Sequence, residues 1–342
     1  MPAMVLAALL IAAQIGRAGE IDRAAAVNCR RMDFIQYAED FAVAEPLDAV
    51  FAADSRGGTG GLRALRVQGG TVQRIPVHVS DWPGRRLIAH GLDFLQEGGK
   101  SWLFVVNLGA TPHSVEVFRA RATAAGLDLA WEGAIKSKVI TSPNDVRALS
   151  LNEVYVSNDW VNGLVEQSGN IVKCKFKPKN ADDLCESAFE KGKEPVIKYA
   201  NGLASYTQGS KRFLLNAATL GNAVEIYRVG GDGRLAPYRT IRLRFGPDNI
   251  QFDGEGRLWI ASFPDPRKIV LRDAIPFAFR VPSQISYVPF GSAPRHEVQV
   301  FHDDGRIINA ATAAVFYKGS LFITAVSDQR SYACALGRSH RH

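Results

Sequence analysis

Segments of strong β-strand character recur along the chain, and the length of the repeat limits the fold more than any single motif does. The segments are Ala49 to Ala52, Trp102 to Val106, Glu153 to Val156, Arg212 to Leu215, Leu258 to Ile260 and Ser320 to Ile323. From Phe51 through Phe104, Tyr155, Leu214 and Trp259 to Phe322 the steps are 53, 51, 59, 45 and 63 residues. Each is a short run rich in apolar, β-branched or aromatic residues, as a strand in a sheet requires. One unit per roughly 40–50 residues is the length of a propeller blade, and radial repetition of blades leaves only short, protected sheet edges. Six such units predict an all-β, six-bladed β-propeller filling residues 20–336 as one domain.

The stretch Pro247 to Pro264 (PDNIQFDGEGRLWIASFP) shows the unit in miniature. Ile250 and Phe252 alternate with Gln251 as a half-buried strand does, Asp253-Gly254-Glu255-Gly256 supplies turn chemistry, and Leu258-Trp259-Ile260 opens the next strand. Further strands are expected at Ser114 to Phe118, Ala223 to Tyr227 and Ile269 to Leu271. Helix is expected only in a short hydrophobic N-terminal segment and at Arg119 to Ala125.

Polar residues precede the six strong segments by about 10 to 14 positions. They are Glu39-Asp40, His90-Gly91-Leu92, Asn144-Asp145, Asn201-Gly202, Asp248-Asn249 and, less regularly, Ile308-Asn309. Any one such pair is an ordinary turn signal. Five in phase are not, because equivalent positions of successive blades lie on a ring around the propeller axis. Polar side chains at the start of each innermost strand then face one another across the channel. A ring of carboxylate and carboxamide oxygens suits a hard cation, and about six to eight oxygen ligands suit calcium ahead of magnesium, which keeps several waters.

Composition excludes several functions. Of 342 residues 46% are hydrophobic, so a large core is available, and the net charge of +7 is spread along the chain with one local cluster at Lys173 to Lys179. Without a nucleic-acid module or interleaved aromatic platform, this charge reads as a solubility feature rather than a nucleic-acid surface. No Gly-x-Ser-x-Gly, phosphate loop or Cys-x-x-Cys pair is present, which argues against covalent serine or cysteine catalysis. No Asn-x-Ser/Thr acceptor occurs either. The apolar run Met4 to Ala13 is too short to span a bilayer and makes residues 1–19 a signal peptide or an N-terminal hydrophobic anchor. Secretion is therefore expected, with peripheral membrane or lipid association if the segment is kept. Residues 337–342 read as a basic, disordered tail. Four cysteines suit an oxidising compartment: a Cys29–Cys334 bridge would tie the ends of the folded region and a Cys174–Cys185 bridge would clip a short polar loop, while free buried thiols stay open as the alternative.

The ordered motifs Tyr37-Ala38-Glu39-Asp40, Ala89-His90-Gly91-Leu92, Val105-Val106-Asn107, Pro143-Asn144-Asp145-Val146, Val156-Ser157-Asn158-Asp159, Ala200-Asn201-Gly202-Leu203, Asp248-Asn249-Ile250 and Tyr317-Lys318-Gly319 resemble those of the paraoxonase/arylesterase family. The resemblance runs from about residue 28 to residue 336 and implies a six-bladed propeller with two calcium ions in its tunnel, one catalytic and one structural. It implies that Glu39, Asn144, Asn201, Asp248 and Asn249 hold the catalytic ion, and that Asp40, Asp145 and the carbonyl of Leu92 hold the structural one. By the same resemblance Cys29 and Cys334 occupy the family's end-to-end disulfide, and the apolar N-terminal helix is one that relatives can retain as a membrane or lipoprotein anchor.

Departures bear on the mechanism. His90 stands where the family has its proposed general base, but Leu108 replaces the second histidine, and Ser262-Phe263-Pro264 stands where several relatives read Cys-His-Pro. The resemblance thus implies a calcium-dependent arylesterase or lactonase acting on a small-molecule ester or lactone. His90 is expected to activate water, with Glu39 or Asp248 as the substitute base, and Leu108 and Phe263 are expected to make the pocket mouth apolar. The rivals are a non-catalytic, calcium-stabilised propeller that binds a small ligand or protein partner, and an enzyme acting on another calcium-bound substrate such as a sugar lactone.

Overall fold

Six sheets form the six expected blades. The structure is a computed structural model that describes residues 21–23, 28–55, 61–84, 86–160, 168–178, 184–266, 268–269, 280–290, 296–326 and 328–336. The expected leader, N-terminal helix and basic tail lie outside the described residues. Blade 1 runs through Ala38–Ala44, Ala49–Asp54, Leu62–Gln68 and Thr71–Ile75. Blade 2 runs through Ala89–Glu97, Lys100–Asn107, Ser114–Thr123 and Gly126–Ile135, with Val77–Ser80 added in parallel at its outer edge. Blade 3 comprises Pro143–Ser150, Glu153–Asn158, Ser168–Cys174 and Cys185–Ser187; blade 4 comprises Ala200–Gln208, Lys211–Ala218, Ala223–Val229 and Leu235–Arg242. Blade 5 comprises Gly246–Phe252, Arg257–Phe263, Ser283–Pro289 and Glu297–Asp303, with Ile21–Arg23 added in parallel.

Blade 6 closes the ring with both ends of the chain. Ala311–Tyr317, Ser320–Ala325 and Ser331–Ala335 are completed by Asn28–Met32, which pairs antiparallel with the last of them. Cys29 lies directly opposite Cys334 in that register and the two form a disulfide across 305 residues of sequence. Cys174 and Cys185 are likewise direct cross-strand partners and are bridged in blade 3.

The apolar cores lie between blades rather than on the axis. One cluster joins Phe51 and Leu62 of blade 1 to Leu103 and Phe118 of blade 2, another joins Phe104 and Val117 to Val154 and Val172, and the pattern continues round to Phe322 against Phe41. This packing explains why Ala49–Asp54, Lys100–Asn107 and their counterparts carry the strongest apolar runs: they are the second strands, covered on both faces by neighbouring blades. The polar residues that precede them belong to the innermost strands themselves.

Two local expectations are corrected. Arg119 to Thr123 continues the strand Ser114–Thr123, with Arg119 opposite Trp102. Arginine and alanine are good helix formers, but buried Ala120 alternating with exposed Arg121 is strand periodicity, and pairing on both sides decides the outcome. Ile269 is helical, Val270 and Leu271 lie outside the described residues, and the third described strand of blade 5 is Ser283–Pro289.

Because the Cys29–Cys334 bridge ties Asn28–Met32 to the last described strand of the ring, Cys29→Ser should lower stability by about 2–5 kcal/mol. A thermal melt followed by circular dichroism, with and without reductant, reads that loss; equal melting of the variant and the oxidised parent would refute it.

Candidate active site

Strand pairing itself builds the ring. Between the innermost and second strands the register skips Glu39-Asp40 in blade 1, His90-Gly91 in blade 2, Asn144-Asp145 in blade 3, Asn201-Gly202 in blade 4 and Asp248-Asn249 in blade 5. Blade 6 breaks the series: its irregularity falls at Thr312, and Asn309 instead accepts the Val281 N–H at 2.8 Å. A bulge leaves residues unpaired in the ladder and re-aims their side chains. That accounts for poor strand formers such as Asp and Asn inside strands at these places.

The glycines of the bulges are fixed by crowding. A Cβ on Gly91 would come within 2.4 Å of Asp145 Oδ1, and one on Gly202 within 2.6 Å of the Asn249 Cα. The innermost strands of blades 2 and 3, and of blades 4 and 5, therefore touch backbone to backbone at the ring.

Glu39, Asp40, Asn144, Asp145, Asn201, Asp248 and Asn249 are all buried. Asp40 Oδ2 accepts the Leu92 N–H at 2.8 Å, and Asp145 Oδ2 accepts the Leu203 N–H at 2.6 Å, so each carboxylate also ties its blade to the next. Leu92, named in sequence for its carbonyl, thus reaches Asp40 through its amide. Asn249 Nδ2 donates to Glu39 Oε1 at 2.7 Å, linking blades 5 and 1, and Asn201 Nδ2 donates to Thr219 Oγ1 at 3.1 Å.

These bonds use the donors of the carboxamides and leave their acceptors over. Glu39 Oε2, Asn144 Oδ1, Asn201 Oδ1 and Asn249 Oδ1 are buried without any hydrogen-bond partner. Burial and, next, the charge of Glu39 push the Asp40 carboxyl well above the usual range; burial and then Asp40 do the same to Asp145. An acid whose folded value is raised costs stability increasingly as pH climbs above its unfolded value, so at neutral pH these two call for a positive charge. Among the described residues no group of His, Cys, Asp or Glu alone makes a metal site; the converging oxygens are largely carboxamide. Such a donor set fits a hard cation and not a thiolate- or imidazole-seeking one.

His90 stands at the ring with 18% of its side chain exposed and Nδ1 3.3 Å from Glu39 Oε2. That is an ion-pair distance, but the orientation is not that of a hydrogen bond, and both atoms remain without one. Burial draws the imidazole down; the charge of Glu39, with Asp159 and Asp145 behind it, outweighs burial and raises it above its ordinary value. Asn107 fixes the approach to His90, since its Oδ1 accepts the Ile88 N–H at 3.0 Å while its amide donates to buried Glu116 at 3.3 Å.

Asp159 had no assigned role in the sequence, although it stands in the Ser157-Asn158-Asp159 run. It accepts from Asn144 Nδ2 at 3.4 Å and from the Ser142 hydroxyl, and burial raises its carboxyl despite those bonds. Its position directly after an Asn of a second strand was the available signal. Leu108 packs half-buried against the core between blades 2 and 3. Phe263, expected at the pocket mouth, is buried against Ile269, Val281 and Ala310 instead.

The sequence model of the arylesterase family matches residues 49–336. Serum paraoxonase/arylesterase 1 of Mus musculus is 24% identical over 255 residues, covering 71% of this chain and 67% of the relative. The Homo sapiens protein of the same name is 23% identical over 259 residues, with 71% and 67% covered. Among solved structures, a gluconolactonase from Xanthomonas campestris superposes with a TM-score of 0.53 at 13% identity, covering 94% of this chain and 99% of that one, which is a likeness of fold.

Gly202→Ala tests the crowding at the ring: overpacking of this kind costs about 1–3 kcal/mol. The expected result is a clear drop in the unfolding midpoint in denaturant, whereas Gly254→Ala, where a Cβ meets open space, should change it little.

Proposed function

The chain belongs to the arylesterase family, and on that premise we propose that it is a calcium-dependent hydrolase of carboxylic esters and lactones. The observation that carries the reading is the set of four buried, unpartnered oxygens contributed by Glu39, Asn144, Asn201 and Asn249 from four different blades. With Asp248 they would hold the catalytic ion, and Asp40, Asp145 and the Leu92 carbonyl would hold a second, structural one. Bound there, calcium would supply a Lewis acid for the substrate carbonyl oxygen.

The chain's own residues account for the remaining steps. Nδ1 of His90 lies 3.3 Å from Glu39 Oε2, which leaves Nε2 to take a proton from the attacking water. The negative charges of Glu39, Asp159 and Asp145 stabilise the imidazolium that results. Asn107 and Glu116 hold the strand from which His90 projects, so the base needs no rearrangement on substrate binding. Leu108 offers no proton relay, and His90 acts alone or shares the task with Glu39 or Asp248. Two disulfides fit a secreted protein, and residues 20–336 would then be the mature propeller with its leader removed or kept as an anchor.

Proton release during hydrolysis of an aliphatic lactone and a phenyl ester, with calcium and after chelation, tests the proposal. Turnover should vanish with the chelator and return with calcium. His90→Gln should lower kcat by about 10²–10⁴-fold while the melting temperature holds. Protein that calcium stabilises against heat but that hydrolyses neither substrate would favour the non-catalytic, ligand-binding propeller.

A further inference from the structure

The innermost strands end on the face of the propeller opposite the ring, and there a cavity of about 490 Å³ opens between blades 4 and 5. Four aromatic side chains wall it: Tyr206 and Phe252 from the two innermost strands, Phe290 just beyond the third strand of blade 5, and Tyr238 from the outer strand of blade 4. Three of the rings form a closed set, with Tyr206 5.1 Å and Phe252 5.0 Å from Phe290 and 5.9 Å from each other.

Tyr238 reaches the cavity by a break in the ladder. Tyr227 pairs with Pro237 and Ile226 with Arg239, so Tyr238 is the extra residue of a bulge. Its ring lies 4.8 Å from that of Phe213 and yet is 58% exposed, unusual for so large a side chain in this protein. Arg239 follows it, exposed and lining the same cavity, and among the described residues makes no ion pair. Asp253, the one acid in the lining among the described residues, does not cancel that charge. It is committed to Arg257 at 2.7 Å, to the Trp259 indole N–H at 2.7 Å and to the Glu255 and Arg257 amides.

We propose that this cavity is a second binding site, for a small planar aromatic anion such as an aromatic carboxylate or sulfonate. Its volume falls within the range of about 300–1,000 Å³ usual for small-molecule sites. Offset and edge-on contacts with the four rings select a flat aromatic body, and the guanidinium of Arg239 takes the anionic group through charge-assisted hydrogen bonds. The site shares no residue with the bulge ring, and the proposal stands apart from the hydrolase reading.

Fluorescence titration of the full chain with anilinonaphthalene sulfonate, and with neutral phenylnaphthylamine as the uncharged counterpart, tests it. Saturable, one-site binding of the sulfonate is expected. Arg239→Gln should weaken the sulfonate by about ten-fold or more and leave the neutral probe unchanged, while Tyr238→Ala should weaken both. Both side chains are exposed, so an unchanged melting temperature is the control for folding. Binding that does not saturate, or sulfonate affinity that is the same in the parent and both variants, would overturn the proposal.

Discussion

Buried oxygens crowded around the propeller axis are the constraint on which the rest depends. A carboxylate removed from water is costly unless donors or cations replace the lost hydration. Here the protein supplies only part of the replacement. Backbone amides of Leu92 and Leu203 serve Asp40 and Asp145, and the Asn249 amide serves Glu39. The oxygens left over come from the bulges of four blades, so the deficit is local to the ring and is one of donors. The same residues that fasten one blade to the next therefore leave buried acceptor oxygens unmatched in the ring.

The fastening is visible along the innermost strands. Asp40 of blade 1 accepts from blade 2, Asp93 of blade 2 accepts the Ala148 N–H of blade 3 at 2.7 Å, and Asp145 of blade 3 accepts from blade 4. In blade 6 the hydroxyls of Thr312 and Thr324 take up the join by donating to the Ala38 carbonyl of blade 1. Hydrophobic burial supplies the cohesion between neighbouring blades, but it is non-directional and cannot set the rotation of one blade against the next. Directional bonds at the axis can. These bonds fix the rotation of the first four blades, and with it the setting of the strand that carries His90.

The fold was legible because a propeller repeats its statement six times. The second strands Ala49–Asp54, Lys100–Asn107 and Arg257–Phe263 announce themselves through burial on both faces, and their spacing alone sets the blade number. The ring was legible for a different reason: Asp-Asn or Asn-Asp inside a strand makes no sense locally and must answer to something global. Features that only the fold reveals carry no local contradiction in the sequence. Arg119 to Thr123 obeys both helical composition and strand alternation, and only its two neighbouring strands decide between them. Asp159 looks like any residue of a turn, and the bulge at Tyr238 depends on a register that no single strand encodes.

The two ends of the channel differ in charge because every innermost strand begins at one face and ends at the other. At the beginning stand the bulges and their unmatched oxygens. Farther along, Arg147 of blade 3 pairs with Asp93 of blade 2 at 2.8 Å and donates to Ser205 of blade 4 at 3.0 Å. A guanidinium there binds three blades while neutralising the carboxylate beside it, so the far end carries no comparable deficit. Burial still raises the Asp93 carboxyl, and Arg147, followed by the Ala148 and Phe94 amides, opposes that rise. The difference gives the molecule a polarity along its axis: positive charge is drawn to the face where the strands begin. The aromatic cavity lies toward the other face, where Arg239, without an ion pair among the described residues, favours the opposite charge.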